Sequence, residues 1–152
     1  MPKRWKKGRG KLGPFDPLLG HWVAETHSPM GPMRCTRTME RILGNQWLRL
    51  VARWEFGPNK AYEEVAIIGP GPEGTVRFWS FTNDGKRSEG DVADVTDLHP
   101  EAVGFEAQMP AGRARMAYWP ADDDGVIWVV EARTKKGWSR MAHHHYHRPE
   151  GG

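Results

Sequence analysis

The stretch Gln46-Trp47-Leu48-Arg49-Leu50-Val51-Ala52-Arg53-Trp54-Glu55-Phe56 decides the fold. In an extended strand successive side chains point to opposite faces. Leu48, Leu50, Ala52, Trp54 and Phe56 then share one face, while Arg49, Arg53 and Glu55 share the other. One face is made for a core and the other for water, which predicts a strand of an antiparallel sheet. A slip of one residue would turn the charges inward, so the register is strongly specified.

On both sides of this segment the same texture recurs. Short runs rich in Val, Ile, Thr, Trp, Tyr and Phe alternate with Gly, Pro, Asn and Asp, and no long helical periodicity competes. The spacing predicts strands over 20–28, 33–42, 46–56, 60–69, 75–82, 87–96, 101–109, 112–119, 125–133 and 137–147. Gly44-Asn45, Asn83-Asp84-Gly85, Pro110-Ala111-Gly112 and Asp122-Asp123-Asp124-Gly125 put Gly or Asn where a positive φ costs little, and connections this short join antiparallel neighbours. An open meander of ten strands would leave two bare edges. The expected fold is therefore all-β, a closed antiparallel up-and-down barrel of about ten strands. Before it, Phe15, Asp16, Pro17, Leu18 and Leu19 suit a short helical turn that plugs one end, with Asp16 as its cap.

The 152 residues fit one domain. The chain is polar for a globular protein, with 38% hydrophobic residues and a mean hydropathy of −0.70, so its 8 Trp, 5 Phe and 3 Tyr must supply much of the buried area. The formal charge is +3, yet residues 1–12 alone contain Lys3, Arg4, Lys6, Lys7, Arg9 and Lys11 without an acid, so the remainder is mildly acidic. Residues 1–13 read as a disordered basic tail, 14–148 as the barrel and 149–152 as a second short tail. Nucleic acid is not the expected partner. A single cysteine, Cys35, excludes an intramolecular disulfide and a thiolate metal cluster. With no apolar leader and no run of about 20 apolar residues, the expectation is a cytoplasmic protein without a membrane span.

Leu18-Leu19-Gly20-His21-Trp22 resembles the Gly-x-Trp signature of the first calycin strand, where the Trp closes the barrel floor. Leu43-Gly44-Asn45-Gln46-Trp47-Leu48, the run from Tyr62 through Ile67-Ile68-Gly69 to Phe78-Trp79-Ser80, and the final strand from Met141 to Arg148 look like further landmarks of the same pattern. Over residues 15–148 the chain resembles a family of small, mostly uncharacterised bacterial calycin-like (lipocalin-like, nitrobindin-like) domains. The resemblance implies a barrel whose interior holds haem or an apolar ligand.

The candidate site residues follow from that interior. Trp22, Trp54, Trp79, Tyr118, Trp128 and Tyr146 come from different strands and can converge on a small hydrophobic or aromatic guest, or fill the barrel outright. Both readings stay open. In His143-His144-His145-Tyr146-His147 the alternation separates His143, His145 and His147 from His144 and Tyr146, and matching the family's inward Tyr puts the latter pair inside. The outward trio has the i, i+2 spacing, about 7 Å, from which two histidines converge on one zinc ion. Its remaining ligands are not apparent from the spacing. His144, or another member of the cluster, is the candidate haem ligand.

Glu25, Glu64, Glu106 and Glu131 lie in strands, and any one that faces inward would need a partner. One of them beside His144 would make a proton-transfer pair. The simpler assignment places them outside, next to Arg37, Arg49, Arg53, Arg77, Arg113, Arg115 and Arg133. Two strands look apolar on both faces, the fifth with Phe78 and Trp79 and the ninth with Ile127 and Val129. Their outer sides predict packing on the tail, on the helical turn or on a second subunit in a homodimer.

Overall fold

Ten antiparallel strands follow one another in chain order around one sheet: β1 (Gly20–Ser28), β2 (Gly31–Ile42), β3 (Trp47–Gly57), β4 (Lys60–Pro70), β5 (Val76–Thr82), β6 (Arg87–Ala93), β7 (Val103–Met109), β8 (Gly112–Pro120), β9 (Val126–Thr134) and β10 (Gly137–Tyr146). This computed structural model describes residues 5–28, 31–57 and 59–149. The ends of the sheet meet through one bridge. There Val23 and His147 exchange two backbone hydrogen bonds of 2.8 Å, which leaves a nearly closed barrel.

The alternation in β3 holds. Leu48, Leu50 and Ala52 are buried and Trp54 is half-buried, whereas Arg49, Val51 and Arg53 are exposed. Cross-strand partners carry the pattern around the sheet, from Arg37 opposite Ala52 to Ala52 opposite Glu64 and Ala66 opposite Ser80. A bulge between Arg140 and Ala142 resets it in β10. The extra residue, Met141, is exposed, Arg140 pairs with the outward Glu131, and Ala142, His144 and Tyr146 turn inward.

One end of the barrel is packed solid. A 3-10 turn, Gly13–Leu18, inserts Phe15 and Leu18, and Phe15 stacks on Phe105 at 5.3 Å while Phe105 meets Phe78 edge-on at 5.1 Å. The Trp22 indole N–H donates to the Leu18 carbonyl at 2.9 Å, joining the turn to β1. Asp16 does not cap this turn; its carboxylate pairs with Arg41 at 2.6 Å. The body also begins before residue 14, because Leu12 is buried and Trp5 packs against the core. Lys7 lies 3.9 Å from Glu101, and the Lys11 ammonium donates to the Gly74 carbonyl. Residues 1–4 and 150–152 of the expected tails lie outside the described residues.

The opposite end is different in kind. Inward positions there, including Met33, Trp54, Met109, Met116, Val130 and Ala142, are only partly buried. Side chains at that end are partly accessible to solvent.

The predicted sixth and seventh strands are shorter than expected because residues 94–102 leave the sheet. Asp94 accepts from the Thr96 amide and hydroxyl, and the segment folds over the outside of β8 and β9. Val95 and Ala102 pack there on Ala117 and Val129, with Leu98, Trp119 and Ile127 at the margin. This loop covers the apolar outer face of β9. Arg115 ties it down, forking to both oxygens of Asp97 at 3.0 and 2.9 Å while its Nε donates to Glu131 at 2.9 Å. Glu131 is thus buried outside the barrel, between Arg115 and Arg140. No described helix is long and apolar enough to cross a membrane.

Leu50 is 2% and Val51 42% exposed. Leu50→Ala is expected to lower unfolding free energy by about 2–5 kcal/mol and Val51→Ala by less than about 1 kcal/mol, read from urea denaturation midpoints at an unchanged m-value.

Candidate functional site

Between the solid end and the open end lies a polar layer, and its centre is Arg37. The residue is 3% exposed. β2 places it inside because Cys35 and Met39, two positions away on either side, are both buried inward residues. Small neighbours make room: Ala52 stands opposite on β3, and Ala24, Ala66 and Ala107 are buried around the same interior. The guanidinium carbon lies 4.8 Å from the ring centre of Trp128, 5.5 Å from Tyr118, 5.8 Å from Trp54 and 5.8 Å from Tyr146. These four rings form a cage around the protein's own cation, each face attracting it through the ring quadrupole.

Four expected aromatics therefore do converge, on an arginine. Trp54 and Trp128 are 6.2 Å apart, and Trp128 also touches His144 at 5.0 Å and Tyr146 at 6.4 Å. Trp22 belongs to the floor beneath. Trp79 does not join them. It points away from the buried Phe78 and Ser80 and packs outside on Trp47 at 5.9 Å. Trp47 in turn lies across Gly69, where a Cβ would stand 2.2 Å from the indole. Arg37, expected outside with the other strand arginines, lies inside; its apolar i±2 neighbours Cys35 and Met39 are the signal in the sequence that places it there.

The hydrogen bonds of this layer are incomplete. Arg37 Nη2 donates to the Tyr118 hydroxyl at 2.7 Å and the Tyr146 hydroxyl also supports the charge by hydrogen bonding, but among the described residues Arg37 Nε and Nη1 and Trp128 Nε1 are buried with no acceptor in good geometry. Burial opposes the Arg37 charge; the Tyr118 and Tyr146 hydroxyls and the Glu64 carboxylate favour it, and the net shift is upward. The residue remains a cation. Burial raises the Tyr118 and Tyr146 phenols, and burial together with the Arg37 charge holds the His144 imidazole below its usual range. A void of about 10 Å³ sits beside Arg37, lined among others by Leu18, Trp22, Leu50, Tyr118 and Tyr146. It has the volume of roughly one water molecule.

Glu64 is the one expected glutamate on the inner face. It accepts from the Ser80 hydroxyl at 2.5 Å, and His144 Nδ1 faces the Tyr146 hydroxyl at 3.5 Å. The expected Glu–His proton-transfer pair is not in direct contact. Glu25 is exposed, and Glu106 pairs with Arg113 outside. His144 is buried as expected, and its ring neighbours are Trp128 and Tyr146. On the outer face, His145 and His147 come together with ring centres 4.3 Å apart, and His143 is not part of that contact.

Comparison with protein-family models and with curated proteins finds no match for this chain.

Cys35 shares the caged interior. It is fully buried, and desolvation raises its thiol to about 11 against the opposing pull of Arg37 and Tyr146. At pH 8 such a thiol is ionised to roughly one part in a thousand. Native protein is expected to react with dithionitrobenzoate at least about 100-fold more slowly than protein unfolded in guanidinium, followed by absorbance at 412 nm in about neutral to mildly alkaline buffer.

Proposed function

We propose that this chain is a calycin-like binding protein whose barrel takes a small planar or hydrophobic molecule carrying an anionic group, most simply a carboxylate. The carrying observation is the buried Arg37 guanidinium with two unpaired donors, next to the equally unpaired Trp128 indole N–H. A buried donor left without an acceptor costs about 1–3 kcal/mol, and more when it is charged. An oxygen-rich head group supplies what these donors lack.

The rest of the geometry fits that assignment. The space already beside Arg37 is the size of one water and has Leu18 and Trp22 of the floor among its walls, so a head group reaches the donors only as the side chains of the layer move aside. The apolar part has the half-exposed mouth, where Met33, Met109 and Met116 adjust their shape at little cost. Trp54 and Trp128 offer flat faces at the boundary of the two regions. Nothing in this assignment requires a reaction. The protein's own cation sets the guest's charge, and the surrounding rings favour a flat outline.

Intrinsic fluorescence and calorimetric titration with benzoate, indole-3-acetate and oleate, each beside its neutral amide, test the reading. At least one acid is expected to quench tryptophan emission and to bind at least about tenfold more tightly than its amide, a difference of about 1.4 kcal/mol. Arg37→Met fills a similar length while removing the buried cation, and a thermal melt checks that the variant is folded, since Tyr118 and Glu64 lose their partner. The same variant loses the preference for acids. Equal affinity for acid and amide, or no response to any of the six compounds, removes the proposal.

A further inference from the structure

At the solid end of the barrel, outside the wall, β10 and the β8–β9 turn bring together three metal-ligating side chains. His145 Nε2 is 3.0 Å from Asp123 Oδ1, and His147 Nδ1 is 3.7 Å from Asp123 Oδ2. One atom from each residue falls within 4.8 Å of the others. We propose that Asp123, His145 and His147 form a site for one divalent first-row transition ion, zinc in the first instance.

Ligand chemistry and spacing both point that way. Two imidazoles and one carboxylate are the donor set of three-ligand zinc sites, with bonds of about 2.0–2.2 Å, so ligand atoms stand about 3–4 Å from one another around the ion. The observed separations need only small rotations of exposed side chains to reach that arrangement. Such a set also favours zinc, nickel or copper over magnesium and calcium, which prefer shells of oxygen.

The backbone has made room for the cluster. Gly125 sits directly behind it, and a Cβ there would lie 2.8 Å from Asp123 Oδ1, 2.9 Å from His145 Nε2 and 2.6 Å from the Tyr146 carbonyl. The Gly125 amide donates to Asp123 Oδ1 at 3.0 Å and orients the carboxylate toward the histidines. Backbone bonds between His147 and Val23 hold the other side of the site. In place of the expected trio of histidines, Asp123 joins His145 and His147, while His143 stands opposite Val129, two residues before His145 in the strand.

Three protein ligands leave at least one coordination position open, as catalytic zinc sites do. Asp124, Gly125 and Arg148, chain neighbours of the ligands, line a cleft of about 690 Å³ together with Trp5, Trp22 and His21. That volume lies in the range of small-molecule sites, about 300–1,000 Å³. None of the three ligand side chains lines that cleft; all three are exposed, so the open position takes water or another exchangeable ligand from solvent. A bound ion would also join the β8–β9 turn to the strand end that closes the barrel, so binding stabilises the folded state by linkage.

Calorimetric titration of the full chain with zinc chloride at about pH 7.5 decides the matter, with a thermal melt of every variant as a folding control. One ion per chain is expected, with Kd of about 10 μM or tighter and a higher Tm in its presence. Asp123→Asn and His147→Gln should each weaken binding at least about tenfold, and His143→Gln should change it less than about twofold. Cobalt should give the intense visible absorption of a four- or five-coordinate ion, which Asp123→Asn abolishes. Affinity weaker than about 100 μM, indifference to Asp123→Asn, or equal losses from His143→Gln and His147→Gln would mean adventitious capture by exposed histidines and would overturn the assignment.

Discussion

A guanidinium held where water scarcely reaches is the constraint around which this barrel interior is organised. Arg37 has one short hydrogen bond, to Tyr118, and its remaining stabilisation comes from the Tyr146 hydroxyl, the four aromatic rings and the Glu64 carboxylate. Cation–π contacts strengthen as water is excluded, which is the condition this layer creates. Below it, the 3-10 turn and the Phe15–Phe105–Phe78 stack fill one end of the barrel. Above it, the same inward positions become half-exposed. The cation marks the boundary between the part of the barrel that is core and the part that is open.

The seam of the barrel depends on β10. Among the described residues, one bridge, between Val23 and His147, joins the first strand to the end of the last. The bulge at Met141 makes this strand compatible with the interior, because without it Arg140 would share a face with His144 and Tyr146. One inserted residue keeps Arg140 on Glu131 outside the wall and places two aromatic-layer residues inside. The same alternation aims His145 and His147 outward, at Asp123. Interior layer and exterior cluster are two faces of one short strand.

Burial outside the barrel follows another logic. Ile127 and Val129 would present an apolar stripe to solvent, and the loop over 94–102 covers it with Val95, Leu98 and Ala102. Arg115 and Glu131 are buried as a consequence, and both are paired, Arg115 with Asp97 and Glu131 with Arg140. A strand apolar on both faces need not announce a second subunit, because its own chain can return over it.

Strand number, turn positions and the inward faces of most strands were legible in the chain alone, since a period of two and the φ preferences of Gly and Asn are local properties. Leu48, Leu50 and Ala52 could be assigned to the core from their spacing, and His144 and Tyr146 from the resemblance of the last strand to a calycin-like one. Arg37 could have been assigned by the same spacing, but residue type argued more loudly than position. Trp79 faces outward because the register of β5 is set by β4, and two adjacent large residues cannot show which of them is inside. Asp123 is separated from His147 in the chain by the whole of β9 and β10, and only the turn between β8 and β9 brings its carboxylate to the histidines. Local pattern determines which way a side chain points; which other side chains it meets is decided by the closure of the sheet, a property of all ten strands together.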